Sequence, residues 1–245
     1  MSLPQQIWDW LSDGSNWSGS TGIPSRLAEH LVFSASSVAI ACLIAIPLGL
    51  WLGHIGHGGT LAISISNIGR AIPTYALLVL LFVAVGVTHR TFETVLALVA
   101  FAVPPLLVNT YVGVREVDPE AREAAVGMGM SGRQVLRQVE LPLAMPLIMD
   151  GLRIAVVTVV ATTTVAALIG AGGLGRFVVD GFNNDDPGQY GGGAVIVGVL
   201  ALLLESLFIL LQRRIDPVRR ARRSRSGSGP VKAEAEATAE AGAAH

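Results

Sequence analysis

The sequence predicts an all-α, polytopic membrane protein with about five transmembrane helices, each needing about 20 apolar residues. Three observations predict it: long apolar stretches, a shortage of charge, and basic residues confined to alternate loops. Of 245 residues, 51% are apolar and 14% charged, and the mean hydropathy is +0.58. Soluble domains hold about 25% charged residues, so much of this surface does not face water. The formal net charge of −1 conceals a marked asymmetry along the chain. The one cysteine, Cys42, sits in an apolar run and reads as a packing residue with no disulfide partner.

Residues 1–30 form an outer N-terminal segment. Met1–Arg26 has no basic leader, carries Asp9 and Asp13, and does not read as a cleavable signal. Trp8, Trp10 and Trp17 either lie at the membrane–water boundary or pack a short surface helix. The transmembrane domain covers 31–212. Its spans are Leu31–Gly53, a second within Leu61–Val87 interrupted by Arg70 and Pro73, then Phe92–Val114, Pro146–Gly170 and Gly193–Leu211. Residues 213–245 turn to Arg/Ser/Gly and then Ala/Glu, a composition that buries too little apolar area to fold. They read as a disordered tail whose arginines lie against anionic lipid headgroups.

Lys and Arg are retained on the cytoplasmic side. The 115–145 loop holds Arg115, Arg122, Arg133 and Arg137, and the tail holds a further cluster from Arg213 to Lys232. The other side receives Arg26, Arg90 and Arg176. The N-terminus is therefore expected outside, with the loop and the C-terminus in the cytoplasm of a cell (inner) membrane protein.

The 115–145 loop is patterned. Asp118 suits an N-cap, Pro119 a first helical position, and Glu120 and Glu123 the positive end of the helix dipole. Ser131-Gly132-Arg133-Gln134 has the form of a capping box. The loop reads as two short helices joined by a glycine elbow at Gly127–Gly132, with Leu141-Pro142 closing the second. Glu123-Ala124-Ala125, three residues, Gly129, nine residues, Val139, one residue and Leu141-Pro142 resembles the EAA loop of bacterial ABC-importer permeases, with Val139 where isoleucine is usual. In that family the loop docks into a groove of the cytoplasmic ATPase and transmits nucleotide-driven closure.

Three further segments extend the resemblance over most of 26–217: Ile46-Pro47-Leu48-Gly49-Leu50, Ile72-Pro73-Thr74-Tyr75-Ala76-Leu77-Leu78 and Ile169-Gly170-Ala171-Gly172-Gly173-Leu174-Gly175. Together they resemble the glycine betaine, carnitine and choline importer permeases. The glycine-rich segment is also similar to methionine-importer permeases, and Pro73 with Arg176-Phe177 favours the betaine branch. The resemblance implies the fold of the methionine-importer permeases and alternating access. It also implies a second permease, identical or paralogous, two ATPase subunits and an extracytoplasmic binding protein. Permease for methionine or another amino acid, ion-coupled carrier and membrane anchor are the rival readings. A coupled carrier would need paired intramembrane carboxylates, and Glu205 alone reads as inside.

Pro47, Pro73 and the pair Pro104-Pro105 bend their spans, either for packing or to expose carbonyls to a cavity. Candidate pathway residues are Pro73, Tyr75, Thr162, Thr163, Gly172 and Gly173, although the fourth-span threonines suit helix packing better than substrate contact. Gly170–Gly175 is too glycine-rich for stable helix, and Asn183–Gly188 reads as an outer turn. Arg153 and Glu205, each roughly 10 Å from the inner end of its span, are expected to pair, with Arg70 and Asp150 near the same level. His54 and His57 have the spacing of two metal ligands, but no third is evident, and both read as solvated in a loop. The chain has no phosphate-binding G-x-x-x-x-G-K-[ST] sequence. It is not expected to be an enzyme, to take a metal or cofactor, or to bind nucleic acid.

Overall fold

The computed structural model describes residues 1–60, 64, 73–85 and 90–215, and all regular structure among them is helical. In chain order the helices are α1 (Leu3–Ser12), α2 (Ile23–Ile55), α3 (Thr74–Val85), α4 (Arg90–Arg115), α5 (Pro119–Gly127), α6 (Gly132–Val135), α7 (Leu141–Ala166), α8 (Gly175–Asn183) and α9 (Pro187–Ile215). Four stretches are long and apolar enough to cross a bilayer: Ile23–Ile55, Thr91–Arg115, Gly132–Ile169 and Pro187–Gln212. The apolar helix of the expected second span is described over α3. Arg70, most of the polar approach to that span, and the tail from residue 216 lie outside the described residues.

The core is a three-helix seam. Ala41, Ala45, Gly49 and Gly53 recur every fourth residue along α2, so they share one face. All four are buried, and they let α4 lie against the α2 backbone. A Cβ at Gly49 would stand 2.7 Å from Thr110 Cβ, and one at Gly53 would stand 2.6 Å from Val114 Cβ. The two helices run parallel, since Ser37 donates to Val95 O (3.4 Å) while the later Gly49 and Gly53 meet Thr110 and Val114. On the far side of α4, Gly151 of α7 meets Asn109, whose Nδ2 donates to Pro105 O at 2.8 Å. Pro47, Pro104 and Pro105 stay inside continuous helices.

At the N-terminal end of the bundle, α1 packs on α9. Gly188, Gly191 and Gly192 form a groove filled by Ile7 and Trp10, and Trp10 meets Phe177 of α8 edge-on at 5.2 Å. Trp8 and Trp17 remain exposed, so of the three only Trp10 takes the packing role. Residues 170–174 are non-helical, as their glycine content predicts. Helix α8 beyond them was not anticipated. Asp185, with φ +53°, turns the chain into α9, whose first turn is capped by Asp186 accepting from Gln189 N at 3.0 Å. A polar cleft of about 510 Å³ opens beside this turn, lined by Trp10, Asp13, Arg26, Arg176 and Asp186 among others. The Ser15 backbone N–H donated to Asp13 holds that carboxyl below its ordinary range.

Candidate functional site: a helical hairpin and its buried charges

The α5–α6 hairpin is built from local signals. Asp118 Oδ1 accepts from Glu120 N at 2.9 Å, which caps α5 and leaves Pro119 where its missing N–H costs nothing. Past Gly127, Met130 N donates to Ala125 O (3.1 Å) and closes the turn. Gly129 sits there at φ +82°, a conformation that strains any residue with a Cβ. Ser131 then opens α6, its N–H and hydroxyl both donating to Gln134 Oε1.

One expectation is corrected here. Leu141-Pro142 does not end the second arm: α6 runs through a π turn at Leu136–Glu140 directly into α7. A proline ring normally clashes with the carbonyl four residues back, and the wider π turn changes that spacing. The second arm of the hairpin and a membrane span are thus one stiff helix. Of the motif residues, Ala125 is buried, Val139 and Leu141 are half-buried, and Glu123, Ala124, Gly129 and Pro142 are exposed. Val126 and Met128, 60% and 73% exposed, add apolar surface at the tip.

The π turn carries Glu140, 1% exposed, between apolar Val139 and Leu141. Its Oε1 lies 3.0 Å from Arg122 Nε of α5, and its Oε2 lies 2.7 Å from His54 Nδ1 of α2. Arg122 also donates to the Val114 carbonyl of α4. His54 is therefore not solvated in a loop. It belongs to the last turn of α2, and Gly132, where a Cβ would sit 3.3 Å from its Nε2, leaves room for the ring. His57 is exposed and bonds Ile55 O. Sequence reading missed the role of Glu140; the signal available was an acidic residue flanked by apolar ones where a helix enters the bundle.

Other candidate residues fall in separate places. Arg153 Nη1 is 3.0 Å from Glu205 Oε1, joining α7 to α9, and Arg153 Nη2 is 3.4 Å from Asp150. Gln212 Nε2 donates to the same Asp150 oxygen at 2.8 Å. Thr163 is buried against α2, bonded to Val159 O and to Ser34 Oγ, and Thr162 is buried beside it. Pro73 and Tyr75 are exposed at the start of α3. Gly173, at φ +86°, donates its N–H to Glu29 Oε2 at 2.9 Å, and Gly172 abuts the same carboxylate. Glu205 is joined as a buried or half-buried acid by Glu93 of α4, 1% exposed, whose oxygens have no hydrogen-bond partner among the described residues. Among the described residues no group of His, Cys, Asp and Glu could hold a metal ion.

Comparison with known proteins gives this geometry its context. Residues 45–221 match the family described as binding-protein-dependent transport system inner membrane component. The glycine betaine/carnitine/choline transport system permease protein OpuCB of Bacillus subtilis (strain 168) is 34% identical over 78% of this chain and 88% of that protein. The choline transport system permease protein OpuBB of the same organism is 35% identical over 77% and 86%. The carnitine transport permease protein OpuCB of Listeria monocytogenes is 36% identical over 79% and 89%. Among solved structures, the inward-facing MetNI methionine ABC transporter superposes with a TM-score of 0.69 at 23% identity, over 88% of this chain and 100% of the other. An amino acid ABC transporter superposes at 0.60 and 21%, over 78% and 93%. The fold expected from the sequence is the one found, and the chain belongs to the family of binding-protein-dependent transport system inner membrane components, the permease chains of ABC importers.

Proposed function

We propose that this chain is the permease subunit of an ABC importer that carries a compatible solute (glycine betaine, choline, carnitine or proline) into the cell by alternating access. The hairpin carries this reading. It keeps the full motif register, exposes Glu123, Ala124 and Gly129, and continues through one helical arm into a membrane span. ATP is hydrolysed on cytoplasmic ATPase subunits that grip the Asp118–Pro142 hairpin. Their closure rocks the helices of this chain and of a second permease, identical or paralogous, and opens the path to a solute delivered by an extracytoplasmic binding protein. The basic residues favour an N-terminus outside and a cytoplasmic hairpin and C-terminus. The solute class is supported by the names of the relatives, since likeness to the methionine transporter at 23% identity speaks for the fold alone.

The test is uptake by vesicles holding the co-expressed complex, comparing glycine betaine, choline, carnitine, proline and methionine. ATP-dependent accumulation of one of the first four is expected. Glu123→Lys and Gly129→Asp should abolish it while membrane insertion is unchanged. Methionine as the only solute accumulated would overturn the solute class, and normal uptake in both variants would overturn the coupling role.

A further inference from the structure

The hairpin meets the bundle through a charged residue that the motif does not include. One arm needs no special contact to move a span, because α6, the π turn and α7 form a continuous helix. Helix α2 has no such chain connection to the hairpin, and α4 reaches α5 only through the short turn 116–118. Apolar packing brings Leu141 into one cluster with Val114 of α4 and Leu50 of α2, and the polar tie among them is one carboxylate. Glu140 is almost fully buried, and a buried ionised carboxylate is costly unless cationic or hydrogen-bonding partners meet it. Each of its oxygens has one: Arg122 of α5 at 3.0 Å and His54 of α2 at 2.7 Å. Arg122 extends the tie to the last turn of α4 through the Val114 carbonyl. Gly132 allows the His54 ring to approach α6 closely. The His54 bond is short and directional and the Arg122 contact is a close ion pair, so a hairpin displaced by an ångström or two either carries α2 and α4 with it or breaks them. The widened π turn places Glu140 at this junction, and π turns inside α-helices often mark functional positions.

We infer that Arg122, Glu140 and His54 form the mechanical joint that passes hairpin displacement to α2 and α4, each acting as a positioning residue for coupled transport. This rests on the proposed permease role. The joint governs how much solute moves per ATP hydrolysed, a quantity that a purely structural tie would leave unchanged.

The experiment uses the full complex with its ATPases and binding protein in proteoliposomes, with ATP hydrolysis and radiolabelled glycine betaine, choline, carnitine and proline uptake followed in parallel. Glu140→Gln and Arg122→Gln are expected to assemble and hydrolyse ATP, while uptake per ATP falls about tenfold. Arg122→Lys, which keeps the charge, should recover most of the ratio. If either neutral variant fails to assemble, His54→Gln at the more accessible end of the cluster decides: a lowered ratio supports the joint and an unchanged ratio overturns it. Wild-type ratios in all variants, or uptake and hydrolysis falling by the same factor, overturn it too. A wild-type complex with no ATP-driven uptake would instead sink the permease reading on which the joint depends.

Discussion

Gly53→Ala tests the α2–α4 seam. The added methyl would stand 2.6 Å from Val114 Cβ and 3.1 Å from the Tyr111 carbonyl oxygen, and neither is the free end of a flexible side chain. Carbon atoms pack at about 3.5–4.0 Å, so the helices must part by roughly 1 Å at this level. Overpacking of this kind costs about 1–3 kcal/mol, offset by about 1 kcal/mol from replacing glycine within a helix. A net loss of up to about 2 kcal/mol is expected, about 1 kcal/mol at the middle of that range. Gly198→Ala on α9, where a Cβ meets nothing within 4 Å, supplies the control. It should gain up to about 1 kcal/mol. Thermal or denaturant unfolding of the purified protein in one detergent measures both. Equal stability of Gly53→Ala and wild type, or equal destabilisation by the two substitutions, would show that the small-residue stripe does not set the helix spacing.

Two further outcomes follow from geometry. Reversing the charge of Arg153 or Glu205 alone should lower the yield of folded protein, because each leaves like charges facing one another across α7 and α9. The double reversal should recover part of it, and recovery no better than either single change would contradict the pair. Gly192→Leu places a side chain where Trp10 now lies. It should release α1 from α9 and expose the N-terminal segment to limited proteolysis, with the rest of the chain unaffected; unchanged cleavage would contradict the groove.

What could be read from the sequence was local. The α5 cap at Asp118, the Ser131–Gln134 box, the elbow at Gly129 and the break at residues 170–174 each depend on residues within one or two turns, and the structure shows all of them. Span positions were legible for the same reason, since hydropathy is a property of a continuous stretch. Arg153 and Glu205 stood out because charges within apolar runs need partners.

Features that depend on distant partners were not legible. Glu140 and His54 are 86 residues apart, and nothing near His54 distinguishes a helix-end ligand of a carboxylate from a loop residue. The π turn before Pro142 was hidden for a different reason. A proline after a short amphipathic segment is an ordinary stop signal, and here the helix passes it by way of the altered turn. Helix α8 begins at Gly175 after a glycine-rich break and is held by tertiary contacts, Phe177 against Trp10 and Gly181 against the Tyr190 backbone. Its own residues are weak evidence for a helix.

The central claim is that a cytoplasmic ATPase grips the tip of the hairpin. Met128, 73% exposed at that tip, can be made the sole cysteine in a Cys42→Ala background. Labelling with a membrane-impermeant maleimide then reports both its side and its contacts. The account predicts no labelling in intact cells, strong labelling after permeabilisation, and protection when the ATPase subunits are co-expressed. Labelling from outside, or full labelling within the assembled complex, would contradict it.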